Sequence, residues 1–110
     1  MERFVKGDVV VLPFPFSDLS TSKKRPTLIV AKLKGDDLIL CQITSQKRND
    51  ADAISLSIED FKREGLSIDS WIRPTRLFTA NSTIIKYKIG SIKESKVGEV
   101  ANKLCEVFKR

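Results

Sequence analysis

The sequence contains no histidine and only two cysteines, Cys41 and Cys105. Histidine is the side chain that most often transfers protons near neutral pH, so acid–base chemistry here must use other groups. The two cysteines lie far apart and lack the spacing of metal ligands, which argues against a zinc site. We expect both to be buried free thiols, one in a strand and one in a helix, as in proteins of a reducing compartment.

Long apolar runs are also missing. No run reaches the length of a membrane span, and the first residues carry no apolar signal-peptide core. We therefore expect a cytoplasmic protein with no membrane contact. Internal repeats and low-complexity tracts are absent as well, and a length of 110 residues suits one domain spanning residues 1–110.

Positive charge is in excess, because 20 Lys and Arg face 14 Asp and Glu and give a net charge of +6. The hydrophobic content of 41% and charged content of 31% are those of an ordinary globular domain. A basic chain favours polyanionic partners, which are nucleic acids or acidic protein segments. The alternative is a protein that is basic without having such a partner.

Short β-type runs separated by turn residues fill most of the chain. Strands are predicted at residues 8–14, 27–31, 38–44, 53–57, 70–79 and 84–89. Gly35, followed by two aspartates, predicts a turn that joins the second and third strands into a hairpin. Residues 58–64 are predicted to form a short helix that Ser57 caps and Gly65 ends.

The last segment has the clearest helical period. Apolar residues recur there at three- and four-residue spacing, at Val97, Val100, Ala101, Leu104, Val107 and Phe108. The helix begins either at a capping box of Ser91 and Glu94 or at Lys93, with Ile92 and Val97 packed as a hydrophobic staple. The predicted fold is therefore mainly β, a small curled antiparallel sheet or barrel with a short helix, and its C-terminal α-helix covers one end.

Two polar motifs stand at the ends of the strands of the predicted hairpin. Lys-Lys-Arg-Pro at residues 23–26 precedes the second strand, and Gln-Ile-Thr-Ser at residues 42–45 ends the third. In a paired hairpin, Arg25 and Thr44 can converge on one phosphate, for which the planar arginine fork is well suited. This combination points toward RNA. The alternative is a solvated strand end and a threonine chosen for its β propensity.

Seven segments in a fixed order resemble the MazF/PemK family of bacterial toxin endoribonucleases. They are GDVV at residues 7–10, PFPFS at 13–17, KRP at 24–26, LIV at 28–30, QITS at 42–45, SWIRPTRLFT at 70–79 and KIG at 88–90. Each segment is weak by itself, but their order and spacing together are specific.

The resemblance implies an SH3-like barrel that forms a homodimer and binds single-stranded RNA in a groove near the subunit interface. It also implies sequence-specific cleavage that needs neither metal nor cofactor and leaves 2′,3′-cyclic phosphate and 5′-hydroxyl ends. The implied partner is an acidic antitoxin that blocks the RNA groove, and operator DNA would be bound only through the toxin–antitoxin complex.

The same resemblance assigns roles to individual residues. Arg25 and Thr44 match the two principal catalytic positions of the family, and Arg76 matches a further arginine of some members. The RNA-binding candidates are Phe16, Ser17, Lys23, Lys24, Ser45, Gln46, Arg73 and Arg76. For Arg73 and Arg76 the alternative is an ion pair with Asp69 or another acid.

The general base is the weakest part of this comparison. Some members have a carboxylate five positions before the catalytic arginine, where this chain has Ser20. Others have an aspartate two residues after the last arginine, where this chain has Phe78. The nearest acid in the first loop is Asp18, which is therefore the candidate base.

Three functions of different classes fit these observations. The first is an endoribonuclease toxin, and the second is a toxin of the same fold that poisons a protein target such as gyrase. The third is an inactive remnant that binds RNA or an antitoxin. The pair of Arg25 and Thr44 favours the first over the second, because a gyrase poison needs no phosphate-cleaving site. Activity on RNA separates the first from the third.

Overall fold

The structure, a computed structural model, describes residues 3–14, 23–46 and 49–110. Its elements are β1 (Asp8–Phe14), β2 (Lys23–Lys32), β3 (Asp37–Thr44), β4 (Ile54–Leu56), β5 (Ser70–Asn81), β6 (Tyr87–Ser91) and α1 (Glu94–Phe108), with 3₁₀ turns at Ile58–Asp60 and Ser82–Ile84. No helix in these three ranges combines the length and the hydrophobicity that crossing a bilayer requires.

The strands form one antiparallel sheet in the order β4-β5-β3-β2-β1-β6. The hairpin of β2 and β3 is present as predicted, and Gly35 adopts a φ of +77° in its turn, where a side chain would be strained. The predicted fold class, a mainly β curled antiparallel sheet with a C-terminal helix, is confirmed.

The two edges of the sheet are linked by the segment that follows β4, so that the sheet curls into a half-barrel. Phe61 in this segment forms an isolated antiparallel bridge with Ile92, just after β6. Gly90 lies where the segment crosses β6, and a Cβ at that position would collide with the carbonyl oxygen of Glu64. The absence of a side chain at Gly90 therefore permits the close approach that draws the edges together.

Apolar side chains fill both faces of the sheet. The helix-side core, which α1 covers, consists of Val9, Leu28, Cys41, Ile43, Ile54, Leu56, Phe61, Ile72, Ile92 and Val100. The second core, on the opposite face, consists of Val10, Leu12, Ile29, Leu38 and Leu40. Because successive side chains of a strand alternate between faces, each central strand can contribute to both cores.

Helix α1 begins at the second of the two predicted starts. Lys93 is the N-cap residue, while the Ser91 hydroxyl donates to Asp8 Oδ1 at 2.6 Å and so takes no part in a capping box. The apolar face of α1 is less buried than predicted. Phe108 at its end is 69% exposed, and Val100 is the one residue of the helix that is fully buried.

The predicted short helix is reduced to the 3₁₀ turn at Ile58–Asp60. A capping box joins Ser57 and Asp60, and Phe61 has the extended backbone needed for its bridge to the other edge of the sheet. Strand β6 also begins later than predicted, since the turn at Ser82–Ile84 occupies the preceding residues and Asn81 caps it by accepting from the Thr83 N–H at 3.0 Å.

The two cysteines have different environments. Cys41 is fully buried in β3, whereas Cys105 is exposed on α1, so the prediction of two buried thiols is wrong for Cys105. Leu104 and Val107 are half-buried, whereas Cys105 between them faces solvent. Burial raises the pKa of the Cys41 thiol from 9.0 to about 12.

A thiol reagent such as DTNB should therefore label one cysteine rapidly in the native protein and two after denaturation. The Cys105→Ser variant should show no rapid labelling. The folded protein keeps the Cys41 thiol protonated at pH values where the unfolded chain ionises it. The contribution of this pKa difference to the free energy of unfolding is fully present below pH 9.0. It is lost as the pH rises toward about 12, because the unfolded chain then gains from ionising the thiol. Rapid labelling of native Cys105→Ser protein would contradict the burial of Cys41.

Candidate functional site

Arg25 and Thr44 stand at the same end of neighbouring strands. The ladder between β2 and β3 pairs Thr27 with Gln42, and continuing this register by two residues brings Arg25 level with Thr44. Across β3, Thr44 pairs with Trp71 of β5. Residues in one cross-strand row point to the same face, so the side chains of Arg25, Thr44 and Trp71 form one row.

This row lies on the face opposite α1. Arg25 pairs with Leu12 of β1, whose side chain belongs to the second core. Pro26 has no N–H to donate, and the ladder between β2 and β3 ends beside it, at Thr27. The two hairpin strands are therefore not paired with each other at Arg25 and Thr44.

Thr44 is held by the backbone that follows it. Thr44 is only 7% exposed. Its Oγ1 accepts a hydrogen bond from the Gln46 N–H at 3.2 Å. A hydroxyl group carries one proton and two lone pairs, so this bond leaves the Thr44 proton available for donation. Ser45 and Gln46 emerge from the strand end as exposed residues.

Three cations near the row have no carboxylate partner among the residues that the structure describes. Lys24 is exposed and Arg25 half-buried on β2, and Arg76 is exposed on β5, while the ion pairs of the described ranges involve other side chains. Cations left without partners favour the binding of an anion.

Arg76 owes its exposure to a bulge in β5. Arg73 pairs with Gln42 and Leu77 with the preceding Cys41, so three residues of β5 are inserted opposite one step of β3. Pro74, which cannot donate to a ladder, is the first residue of this bulge. Bulges redirect side chains away from the regular pleat, and Arg76 is directed to solvent at this one.

Arg73 has the ion pair that the sequence left as an alternative, but its partner is Asp50 rather than Asp69. The Arg73 Nε donates to Asp50 Oδ2 at 3.0 Å, and Nη1 donates to Gln42 Oε1 at 3.2 Å. The Arg73 and Asp50 side chains are only 13% and 11% exposed. No sequence pattern points to Asp50, whereas the contact with Gln42 follows from strand register once β3 and β5 are known to pair.

Two aromatic residues of β5, Trp71 and Phe78, have different environments. Trp71 is half-buried, stands beside Thr44 and belongs to neither core. Phe78 packs against the second core.

Several predicted residues cannot be placed. Phe16, Ser17 and Asp18 lie outside the described residues, as does the side chain of Lys23. Within the described ranges, His, Cys, Asp and Glu side chains form no group of three that would hold a metal ion.

A family model of PemK-like, MazF-like toxins of type II toxin–antitoxin systems matches residues 5–108. Among solved structures, MazF from Deinococcus radiodurans is 16% identical over 100% of both chains, with a TM-score of 0.77. Toxin MazF-mt6 from Mycobacterium tuberculosis is 17% identical over 93% of this chain and 96% of its own, with a TM-score of 0.73.

A mycobacterial endoribonuclease solved in complex with its cognate antitoxin is 12% identical over 97% of this chain and 96% of its own, with a TM-score of 0.75. Comparison with curated protein sequences gives no significant match. At such identities the solved structures establish the fold, and the family model, which spans almost the whole chain, establishes the family. The chain therefore belongs to the PemK-like, MazF-like family of toxins of type II toxin–antitoxin systems.

Proposed function

We propose that this toxin is a metal-independent, sequence-specific endoribonuclease that cleaves single-stranded RNA to 2′,3′-cyclic phosphate and 5′-hydroxyl ends. The observation that carries the proposal is the strand register, which brings Arg25, a cation with no described carboxylate partner, level with Thr44, a hydroxyl whose proton is free for donation. Both belong to one row on one face of the sheet, as the binding of a single phosphate requires.

The proposed reaction begins when the ribose 2′-hydroxyl attacks the adjacent phosphorus. The 2′-hydroxyl gives its proton to the general base as its oxygen forms a bond to phosphorus. The bond to the 5′-oxygen breaks, and that oxygen takes up a proton from water. DNA lacks the attacking group, so the reaction requires RNA. Negative charge builds on the non-bridging oxygens as the phosphorane forms, and Arg25 and Thr44 are the donors that stabilise it.

Proton transfer needs a separate group. An arginine side chain stays protonated at working pH, which suits Arg25 to charge stabilisation rather than to the role of general base. We assign the base to Asp18, in the segment between β1 and β2 that lies outside the described residues. A positioned base contributes about 10²–10⁴ in rate, so cleavage would be slow but measurable without it.

The surroundings of the row suit a single strand of RNA. Lys24 and Arg76 flank the row as cations that can track phosphates, and the exposed Ser45 and Gln46 offer hydrogen-bonding groups at the end of β3. Trp71 supplies an aromatic surface beside Thr44 on which a base can stack. Trp71 is half-buried, so part of the residue remains accessible to solvent.

The proposal extends to partners. The chain would act as a homodimer and be neutralised by a cognate antitoxin whose acidic segment orders on the basic groove. Operator DNA would be bound only through the toxin–antitoxin complex. Support comes from the net charge of +6 and from the similar mycobacterial endoribonuclease, which was solved with its own antitoxin. An antitoxin that binds the toxin without reducing cleavage would contradict this blocking role.

The decisive experiment incubates the purified protein, in the presence of EDTA, with a long single-stranded RNA and with DNA of the same sequence. We expect discrete RNA fragments with 2′,3′-cyclic phosphate ends and intact DNA. Intact RNA of varied sequence, from protein shown to be folded and dimeric, would overturn the nuclease and favour a poison of a protein target or an inactive binder.

A further inference from the structure

Asp50 occupies a junction between the loop after β3 and the site strands. Its Oδ2 accepts from Arg73 Nε at 3.0 Å, and its Oδ1 accepts from the Asp52 N–H at 3.0 Å. One oxygen thus binds strand β5, and the other closes a turn in its own loop. With an exposed fraction of 11% for its side chain, this carboxylate is shielded from the solvent screening that weakens surface ion pairs.

The contacts of Asp50 fix the orientation of Arg73. A guanidinium is planar and carries five N–H donors, so a bond at Nε together with a bond from Nη1 to Gln42 Oε1 determines the plane of the group. Arginine can only donate, so the Gln42 side-chain oxygen faces Arg73 and its NH₂ group faces away. The remaining N–H groups of Arg73 are left for other acceptors.

This network lies next to the row of Arg25, Thr44 and Trp71, on the same face of the sheet. Gln42 is two residues from Thr44 on β3, and Arg73 is two residues from Trp71 on β5, so all four side chains share one face. Asp50 lies in the loop after β3, and its bond to Arg73 joins it to strand β5 of the sheet. A shift of Asp50 would therefore be transmitted to Arg73.

We propose that Asp50 is a positioning residue for RNA cleavage, which holds the Arg73 guanidinium in the orientation that the phosphate requires. The inference rests on the proposed nuclease function. Its effect is on the rate of the bound complex, because misplacing groups around a reacting centre by about 1 Å costs on the order of 10² in rate. The cations Lys24 and Arg76 lie outside the network, and Arg73 keeps its positive charge when Asp50 is replaced, so the affinity for RNA should not fall.

Two substitutions separate the two bonds of Asp50. Asp50→Asn keeps an oxygen for the turn to the Asp52 N–H but places an NH₂ group against Arg73 Nε, so the ion pair is lost. Asp50→Glu keeps the carboxylate for Arg73 but is one methylene too long for the same turn. Glu94→Gln is the matched control, since it removes a carboxylate from the ion pair with Lys62, whose side chains are 84% and 52% exposed.

The experiment measures single-turnover cleavage of an RNA oligonucleotide that carries a site mapped with the wild-type protein. Affinity is measured with the same oligonucleotide bearing a 2′-deoxy sugar at the scissile position. We expect Asp50→Asn to lower the cleavage rate about 10- to 100-fold with little change in affinity. Asp50→Glu should retain more of the rate than Asp50→Asn, and Glu94→Gln should match the wild type. Circular dichroism at the assay temperature confirms that each variant is folded.

A second readout is independent of the chemistry. The Arg73 Nε–H resonance in NMR spectra should exchange slowly with water in the wild type and in Asp50→Glu, and rapidly in Asp50→Asn. A wild-type rate in folded Asp50→Asn, or slow exchange of its Arg73 Nε–H, would overturn the inference and leave the nuclease intact. Failure of the wild-type protein to cleave any RNA would instead overturn the proposed function, and with it any role of Asp50 in cleavage.

Discussion

Replacing Arg25 by alanine should lower the rate of RNA cleavage by about 10²–10³ and leave the protein folded. Arg25 is half-buried and has no carboxylate partner in the part of the chain that the structure describes, so its charge is available to a phosphate. Since the charge that it stabilises is greatest in the phosphorane, the loss should fall on the rate of the bound complex more than on affinity. Single-turnover cleavage of a mapped RNA site measures the rate.

Two variants make this prediction specific. Arg25→Lys keeps a positive charge but loses the planar fork, and it should retain a cleavage rate between those of the wild type and Arg25→Ala. Lys24→Ala removes the exposed neighbouring cation, and it should weaken RNA binding in a salt-dependent way with a smaller effect on rate. Equal rate losses in Arg25→Ala and Lys24→Ala would indicate general electrostatic attraction instead of a catalytic role for Arg25.

The fold could be predicted where the signals are local. Gly35 marks the hairpin turn, and the alternation around Ile54 and Leu56 predicts the short edge strand. The apolar spacing around Val100 predicts the last helix. Each of these features is decided by residues a few positions apart in sequence. The mainly β class with one C-terminal helix follows from them, because these elements bury their apolar faces only by packing together.

The details that failed depend on contacts between distant segments. The turn at Ile58–Asp60 ends early because Phe61 has an extended backbone and forms a bridge with Ile92, on the other edge of the sheet. Of the two predicted helix starts, the one at Ser91 is not used, because the Ser91 hydroxyl donates to Asp8, 83 positions away in sequence. No periodicity or capping rule contains such information, since each requires the topology of the whole sheet.

The candidate site divides in the same way. Arg25 and Thr44 could be brought together from the sequence, because a hairpin with a defined turn fixes which residues stand level. The ion pair of Arg73 with Asp50 could not, since it joins the loop after β3 to a different strand across 23 positions. The bulge that exposes Arg76 was hidden as well, although Pro74 is the kind of residue that marks one.

Replacing Thr44 by valine should also lower the cleavage rate by about 10²–10³, because the substitution removes a single donor and little volume. Thr44 is only 7% exposed, and valine is β-branched like threonine, so the strand end should keep its packing. The bond from the Gln46 N–H is lost, and because Gln46 is exposed we expect a cost to stability of about 0.5–1.5 kcal/mol, the net value of one hydrogen bond. Thermal unfolding of the variant measures that cost separately from the cleavage assay.

Thr44→Ser is the matched control, since it restores the hydroxyl without the methyl group and should recover most of the lost rate. The double variant Arg25→Ala with Thr44→Val then tests whether the two residues act together. If both stabilise the same phosphorane, the double variant should lose less than the product of the two single losses. Fully multiplicative losses would show that the two side chains act independently of each other. A wild-type rate in folded Thr44→Val would remove the hydroxyl from the mechanism. The row of Arg25 and Thr44 would then be a phosphate-binding surface whose catalytic groups lie elsewhere.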